Sequence, residues 1–238
     1  KMPIVETREL VKTYKMGDAI VHALDGLNIK VERGEFMAIM GRSGSGKSTL
    51  LNMLGCLDRP TSGAVIIDGI DVAQAPKSQL PKIRREKIGF VFQHFNLLPT
   101  LTALENVMLP LKYSGVQGGE RKARALEALK QVGLEQRAQH RPAEMSGGEQ
   151  QRASVARAIV TKPAIVLGDE LTGELDSKTS RAVIELLRQF NRETQQTFVL
   201  VTHDPAVAAQ TDRVVHLLDG KVESEEIHVA RGQDEFVE

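Results

Sequence analysis

Two apolar patterns run along the chain, and they predict two kinds of strand. Five stretches are apolar at nearly every position: FMAIM (36–40), IGFVF (88–92), AIVLG (164–168), TFVLV (197–201) and VVHLL (214–218). A strand of that kind has both faces covered, as in a parallel sheet carrying helices on each side. Three others, IVETRELVKTY (4–14), GLNIKVERGEF (26–36) and GAVIIDG (63–69), alternate loosely between apolar and polar residues. Alternation marks a sheet with one wet face, so these predict a small antiparallel layer against the main core.

Three helices follow from apolar spacing and end signals. KSTLLNML (47–54) opens after a glycine-rich stretch, and ERKARALEALKQVG (120–133) stops at Gly133. SKTSRAVIELLRQFNRET (177–194) places Val183, Ile184, Leu186, Leu187 and Phe190 on one face, with Asp176 or Ser177 as N-cap. No strong strand pattern occurs between residues 94 and 160, which predicts a helical subdomain inserted into an α/β core. The expected division is one domain over 1–230: core and β subdomain in 1–93 and 161–222, helical subdomain in about 94–160. From Glu223 the chain turns acidic with little periodicity, and 223–238 is expected to be a loosely held tail.

Composition narrows the function classes. Thirty-one Lys and Arg balance thirty-one Asp and Glu, which argues against a nucleic-acid binder relying on non-specific phosphate contacts, so no nucleic acid is expected. The single cysteine, Cys56 in LLNMLGCL, allows no intrachain disulfide and reads as core filler rather than as a nucleophile. The six histidines show no metal-ligand spacing. No apolar stretch approaches the ~20 residues that cross a bilayer, and KMPIVETREL has no signal-peptide apolar region. A soluble, cytoplasmic chain is expected.

The glycine-rich stretch is GRSGSGKST (41–49), set between the apolar run 36–40 and the helix that begins at Lys47. Gly41-x-x-x-x-Gly46-Lys47-Ser48 has the spacing of a phosphate-binding loop in the required strand–loop–helix setting. Gly41, Arg42, Ser43, Gly44, Ser45, Gly46, Lys47, Ser48 and Thr49 are therefore expected to hold nucleotide phosphates. Without Cβ atoms in the way, successive N–H groups turn inward and join the helix N-terminus as an anion nest. Lys47 adds a point charge at the outer phosphates, and Ser48 a hydroxyl ligand for Mg²⁺. Asp169, at the end of the run 164–168, is expected to hold the metal's water shell, while Glu170 faces an attacking water. The expected fold is an α/β P-loop NTPase (RecA-like) core with a small antiparallel β subdomain and an inserted helical subdomain.

Such cores serve many functions, so further residues must decide. In MSGGEQQRASVARAIVTKPAIVLGDE, Ser146-Gly147-Gly148 opens a helix with exposed backbone donors, a second anion site on a chain that already has one. Two phosphate sites make sense if each completes a partner's site. This segment resembles the signature of the ATP-binding cassette (ABC) family, and the resemblance extends over nearly the whole chain. Within the family, YKMGDAIVHALDGLNIKVERGEFMAIMGRSGSGKSTLLNMLGCLDRPTSG and IGFVFQHFNLLPTLTALENVMLPL resemble the ATPase subunits of the lipoprotein-release and macrolide-exporter type.

The resemblance implies that Tyr14 stacks on adenine and that Gln93 is a Q-loop glutamine serving both nucleotide and metal. GELD (173–176) then matches the D-loop, and His203 in VTHD the switch histidine at the γ-phosphate. It implies ATP and Mg²⁺ as cofactors, with Lys47, Glu170 and His203 as the catalytic set. It implies a head-to-tail dimer with a second copy, each nucleotide lying between one copy's 41–49 loop and the other's Ser146, Gly147, Gly148 and Glu149. Integral membrane permease subunits are the implied partners, on the inner face of the cell membrane, with Phe95-Asn96-Leu97-Leu98 near the docking groove. Export or extraction of a lipoprotein or hydrophobic compound follows by analogy; an ATPase that gates a cell-envelope process without moving cargo is the alternative. ABC ATPases of chromosome maintenance carry long heptad insertions, for which residues 94–144 leave no room. Three positions depart from the family pattern. Met145 replaces the usual leucine, Gly168 an alanine or apolar residue, with a small expected loss of packing, and Leu171 a proline, which removes a fixed φ after Glu170.

Overall fold

The computed structural model describes residues 2–228. The chain begins with a long antiparallel pair, β1 (Val5–Met16) and β2 (Ala19–Val31), and then enters the central strand β3 (Phe36–Gly41) and helix α1 (Lys47–Leu54). Strands β4 (Ser62–Ile67) and β5 (Ile70–Asp71) and helix α2 (Leu80–Lys87) lead to β6 (Ile88–Phe92). Three helices follow: α3 (Ala103–Tyr113), α4 (Gly118–Gln131) and α5 (Gly147–Ile159). The chain then alternates through β7 (Ile165–Asp169), α6 (Ser177–Thr194), β8 (Thr197–Val201), the short α7 (Pro205–Ala208), β9 (Arg213–Leu218) and β10 (Lys221–Ile227).

These strands form two sheets, ordered β2-β1-β4-β5 and β10-β9-β3-β8-β7-β6. In the second, β9, β3, β8, β7 and β6 run parallel, and β10 pairs antiparallel on the edge. The continuous apolar runs find their reason here, because alternate residues feed two different cores. Phe36, Val166, Phe198 and Leu200 face the core shared with α3, α4, α5 and α6. Met37, Ile39, Ile165, Leu167, Val199 and Val201 face the core shared with α1 and the antiparallel sheet. Cys56 sits in that second core, where burial pushes its thiol up to about 11.

The helices start on chemistry legible in the sequence. Asp176 caps α6 by accepting from Lys178 N (3.0 Å) and Thr179 N (2.9 Å), and the face carrying Val183, Ile184 and Leu187 is buried. Helix α2 and the turns Lys77–Gln79, Glu135–Arg137 and Pro142–Glu144 carry no apolar periodicity and were not expected. The acidic segment needs correction. Residues 223–227 continue β10, paired with β9 by backbone hydrogen bonds and by Arg213–Glu225 (2.9 Å). Residues 229–238 of the expected tail lie outside the described residues.

Candidate functional site

Strand β3 ends at Gly41 and α1 starts at Lys47, so the loop between them is held at both ends. Gly46, the residue before α1, has φ +105°, and a Cβ there would lie 2.6 Å from Ala23 O. Only glycine fits both demands. Lys47 Nζ donates to Gly41 O (2.6 Å) and Arg42 O (2.9 Å), which holds the ammonium over the loop. The loop forms one wall of a cleft of about 640 Å³, lined by Gly41, Arg42, Ser43, Gly44, Gly46, Lys47, Ser48 and Thr49. Ser45 does not line it. Its side chain is buried, its N–H donates to Arg42 O (3.1 Å) and its carbonyl accepts from Gly220 N (2.9 Å), so it props the loop from beneath.

Tyr14 stands at the opposite wall, beside Val21 and His22 of β2. Its hydroxyl donates to Asp58 Oδ2 (3.2 Å), and Lys12 Nζ lies 5.1 Å from the ring centroid. The ring is thus anchored at its hydroxyl and 37 % exposed.

Asp169, Glu170 and His203 close the cleft from the ends of β7 and β8. Burial raises the Asp169 carboxyl above its ordinary range, the Glu170 charge adds to this, and Lys47 opposes it. Glu170 turns out of the strand at φ +46°, with its N–H donating to Val201 O (2.9 Å). That turn lets two successive carboxylates reach one cleft. Glu170 Oε2 lies 2.9 Å from His203 Nδ1 and also accepts from His203 N (3.4 Å), a direct pairing that motif spacing does not reveal.

The remaining expected residues are elsewhere. Gln93 follows β6, and its amide lies over Gly173, where a Cβ would come 2.7 Å from Gln93 Nε2. It does not line the cleft, so of the three expected metal ligands the fold brings together Ser48 and Asp169 only. Ser146, Gly147, Gly148 and Glu149 form the first turn of α5, also outside the cleft. Ser146 Oγ accepts from Glu149 N (3.2 Å), and Glu149 Oε2 accepts from Ser146 N (2.8 Å), a reciprocal cap. The Ser146 N–H first, and then the Arg137 guanidinium at 3.0 Å, hold the Glu149 carboxyl below its usual range. In the single chain Glu149 is engaged by the helix cap and by Arg137. The first-turn N–H groups of Gly147 and Gly148 have no intrahelical acceptor.

A family model described as ABC transporter matches residues 24–173. The chain belongs to the ABC transporter family. The ATP-binding protein MJ0796 of Methanocaldococcus jannaschii is 53% identical over 227 residues, covering 94% of this chain and 97% of that protein. The macrolide export ATP-binding/permease protein MacB of Syntrophobacter fumaroxidans is 47% identical over 228 residues; this chain spans 32% of its length. Among solved structures, dimeric MJ0796 in a post-hydrolysis state bound to ADP and Pi superimposes with TM-score 0.85 and 51% identity, covering 94% of this chain and 98% of that one. CbiO1 of Clostridium perfringens, part of the complex cbiONQ, has TM-score 0.85 at 28% identity and covers 95% and 89%. The fold is that of ABC ATPases, and the chain is one of them, of the ATP-binding type.

Against this family background two departures explain each other. Gly168 loses no packing, contrary to expectation. A Cβ there would lie 2.6 Å from Leu171 Cδ2 and 2.7 Å from Leu200 Cδ2, so the buried Leu171 side chain occupies the space that a larger residue 168 would need. The ABC ATPase also carries a groove of about 630 Å³ between α2, β6, α3 and α5, lined by Arg84, Arg85, Phe90, Phe92, Tyr113 and Arg157 among others. Of the segment 95–98 only Asn96 reaches it; Leu97 packs on the helical core instead.

Proposed function

We propose that this ATPase works as a head-to-tail dimer, each ATP lying between one chain's 41–49 loop and the other's Ser146–Gly148 turn. The observation that carries this is the separation of two anion-binding surfaces on one chain. The loop cleft holds the carboxylates, and the α5 N-terminus lies outside it with free N–H groups. The dimeric MJ0796 structure supports the arrangement.

In this reading Tyr14 stacks on adenine, and the N–H groups of residues 41–49 grip the phosphates. Lys47 leaves its two carbonyl partners for the outer phosphate. Glu170 polarises the attacking water and His203, already paired with it, orients that carboxylate and contacts the γ-phosphate. Phosphoryl transfer to water needs positioning and charge stabilisation more than covalent help. The Ser48 hydroxyl and the Asp169 carboxylate share the cleft and form a hard oxygen set that suits Mg²⁺. The ion would neutralise charge on the phosphate oxygens when bound; Gln93 would have to leave Gly173 to join it. ATP favours closure because its contacts with the second chain exist only in the closed state.

The partner is a membrane permease on the inner face of the cell membrane, engaged through the groove of Arg84, Arg85 and Arg157. Its arginines and aromatic rings suit an acidic segment with an apolar side chain. Likeness to MacB, a macrolide export ATP-binding/permease protein, supports export. Glu170→Gln should leave ATP binding intact and run as a dimer in gel filtration with ATP; wild-type turnover by that variant removes Glu170 from the role. Affinity capture from membranes should bring down a permease, and recovery of nucleic acid in its place overturns the reading.

A further inference from the structure

Gln151 lies on α5, five positions after Ser146, and its side chain is fully buried. Its Nε2 donates to Phe92 O (3.1 Å) and to Leu171 O. Both acceptors are backbone carbonyls, so only the amide's NH₂ end can face them. Phe92 immediately precedes Gln93, and Leu171 immediately follows Glu170. One side chain of the signature helix therefore ties the segment after β6 to the segment after β7.

Neighbouring contacts continue the same seam. Gln93 lies over Gly173, His94 Nδ1 pairs with Glu174, and Gly173 N donates to Glu170 O (2.8 Å). The tie is specific in its chemistry. Gln151 Oε1 has no hydrogen-bond partner among the described residues, while both NH₂ donors are used. A buried amide satisfied only at its donor end is a poor stabiliser compared with an apolar residue of the same volume. Its placement is explained by what the donors hold. Glu170 sits at φ +46° beside Leu171, a conformation that persists only when its surroundings over-determine it.

We propose that Gln151 is a positioning residue, whose side-chain amide fixes Glu170 and Gln93 at a set spacing from the α5 N-terminus. It rests on the assignment of Glu170 above. Within one chain Glu170 and Gln93 belong to the chain's own ATP site and Ser146 to the partner's, so the amide joins the two sites mechanically.

Gln151→Met keeps the length of the side chain and removes both donors. It should lower kcat for ATP about tenfold, ~1.4 kcal/mol of barrier, with KM and nucleotide affinity within about twofold, because the 41–49 loop is untouched. Glu170→Gln is assayed alongside. An inactive Glu170→Gln with Gln151→Met at wild-type kcat overturns this inference alone; an active Glu170→Gln overturns the reading beneath it. A parallel loss of nucleotide affinity and kcat would show a merely structural role and also overturn it. Should Gln151→Met not fold, the wild-type chain supplies the readout by NMR. The Gln151 side-chain NH₂ should exchange more slowly than that of exposed Gln131 and shift together with the amides of Gln93 and Glu170 when ADP is added. Exchange as fast as Gln131, or no shift, overturns the proposal.

Discussion

At position 168 the shape of one residue is set by another three positions on. Gly168→Ala forces its Cβ against two leucine methyls in a sheet packed on both faces, and should cost ~1–3 kcal/mol in urea unfolding. In a Leu171→Ala background the contact with Leu171 is relieved while that with Leu200 Cδ2 at 2.7 Å remains, so part of the cost should be recovered and the two changes should couple by ~1 kcal/mol; strict additivity would show that residues 168 and 171 do not share space. Asp169 gives a second test at this scale. Burial raises its folded pKa above the unfolded value, so the folded state holds the proton more tightly. The stability this contributes is complete below the unfolded pKa, about 3.9, and is lost as pH rises through the higher folded value. Asp169→Asn should therefore raise the nucleotide-free melting temperature at neutral pH and flatten its pH dependence over that acid window. An unchanged pH profile would show that the carboxyl is not desolvated.

Helix ends separate structure from function at the scale of elements. Helices α3 and α5 begin with the same reciprocal cap. Thr102 and Ser146 each accept at 3.2 Å from the residue three on, and each donates its N–H at 2.8 Å to that residue's glutamate. Thr102→Ala and Ser146→Ala should each cost ~1 kcal/mol of stability. Only Ser146→Ala should also slow ATP turnover, because only α5 points its end at a second chain in the proposed dimer. Equal loss of turnover in both would reduce the signature serine to a cap.

For the whole molecule, the parallel sheet divides two cores, one shared with α1 behind the 41–49 loop and one shared with α5, which Ser146 caps. In the proposed dimer the two halves of each reaction centre come from different chains, because residues 146–149 do not line the cleft of their own loop. Turnover per chain should fall as the protein is diluted through its ATP-dependent dimer constant. Constant specific activity over a hundredfold dilution, followed by a coupled phosphate assay, would mean that single chains suffice.

Local signals determined much of this protein. The 41–49 loop, the carboxylates after β7, the α5 turn and the two strand patterns rest on short-range demands: backbone room, alternation and caps. They are legible because glycine, proline and apolar periodicity act on neighbours in sequence. Family resemblance added Tyr14, Gln93 and His203, which spacing alone leaves ambiguous. Tertiary structure alone decided that Ser45 is a prop, that Gln93 lies on Gly173, that Leu171 fills the space at Gly168 and that residues 223–227 complete a sheet edge. It also decided that Gln151 bridges Phe92 and Leu171. These contacts join segments whose separation follows from the order of strands in the sheet, and strand order is fixed by the packing of both faces, which no local pattern encodes.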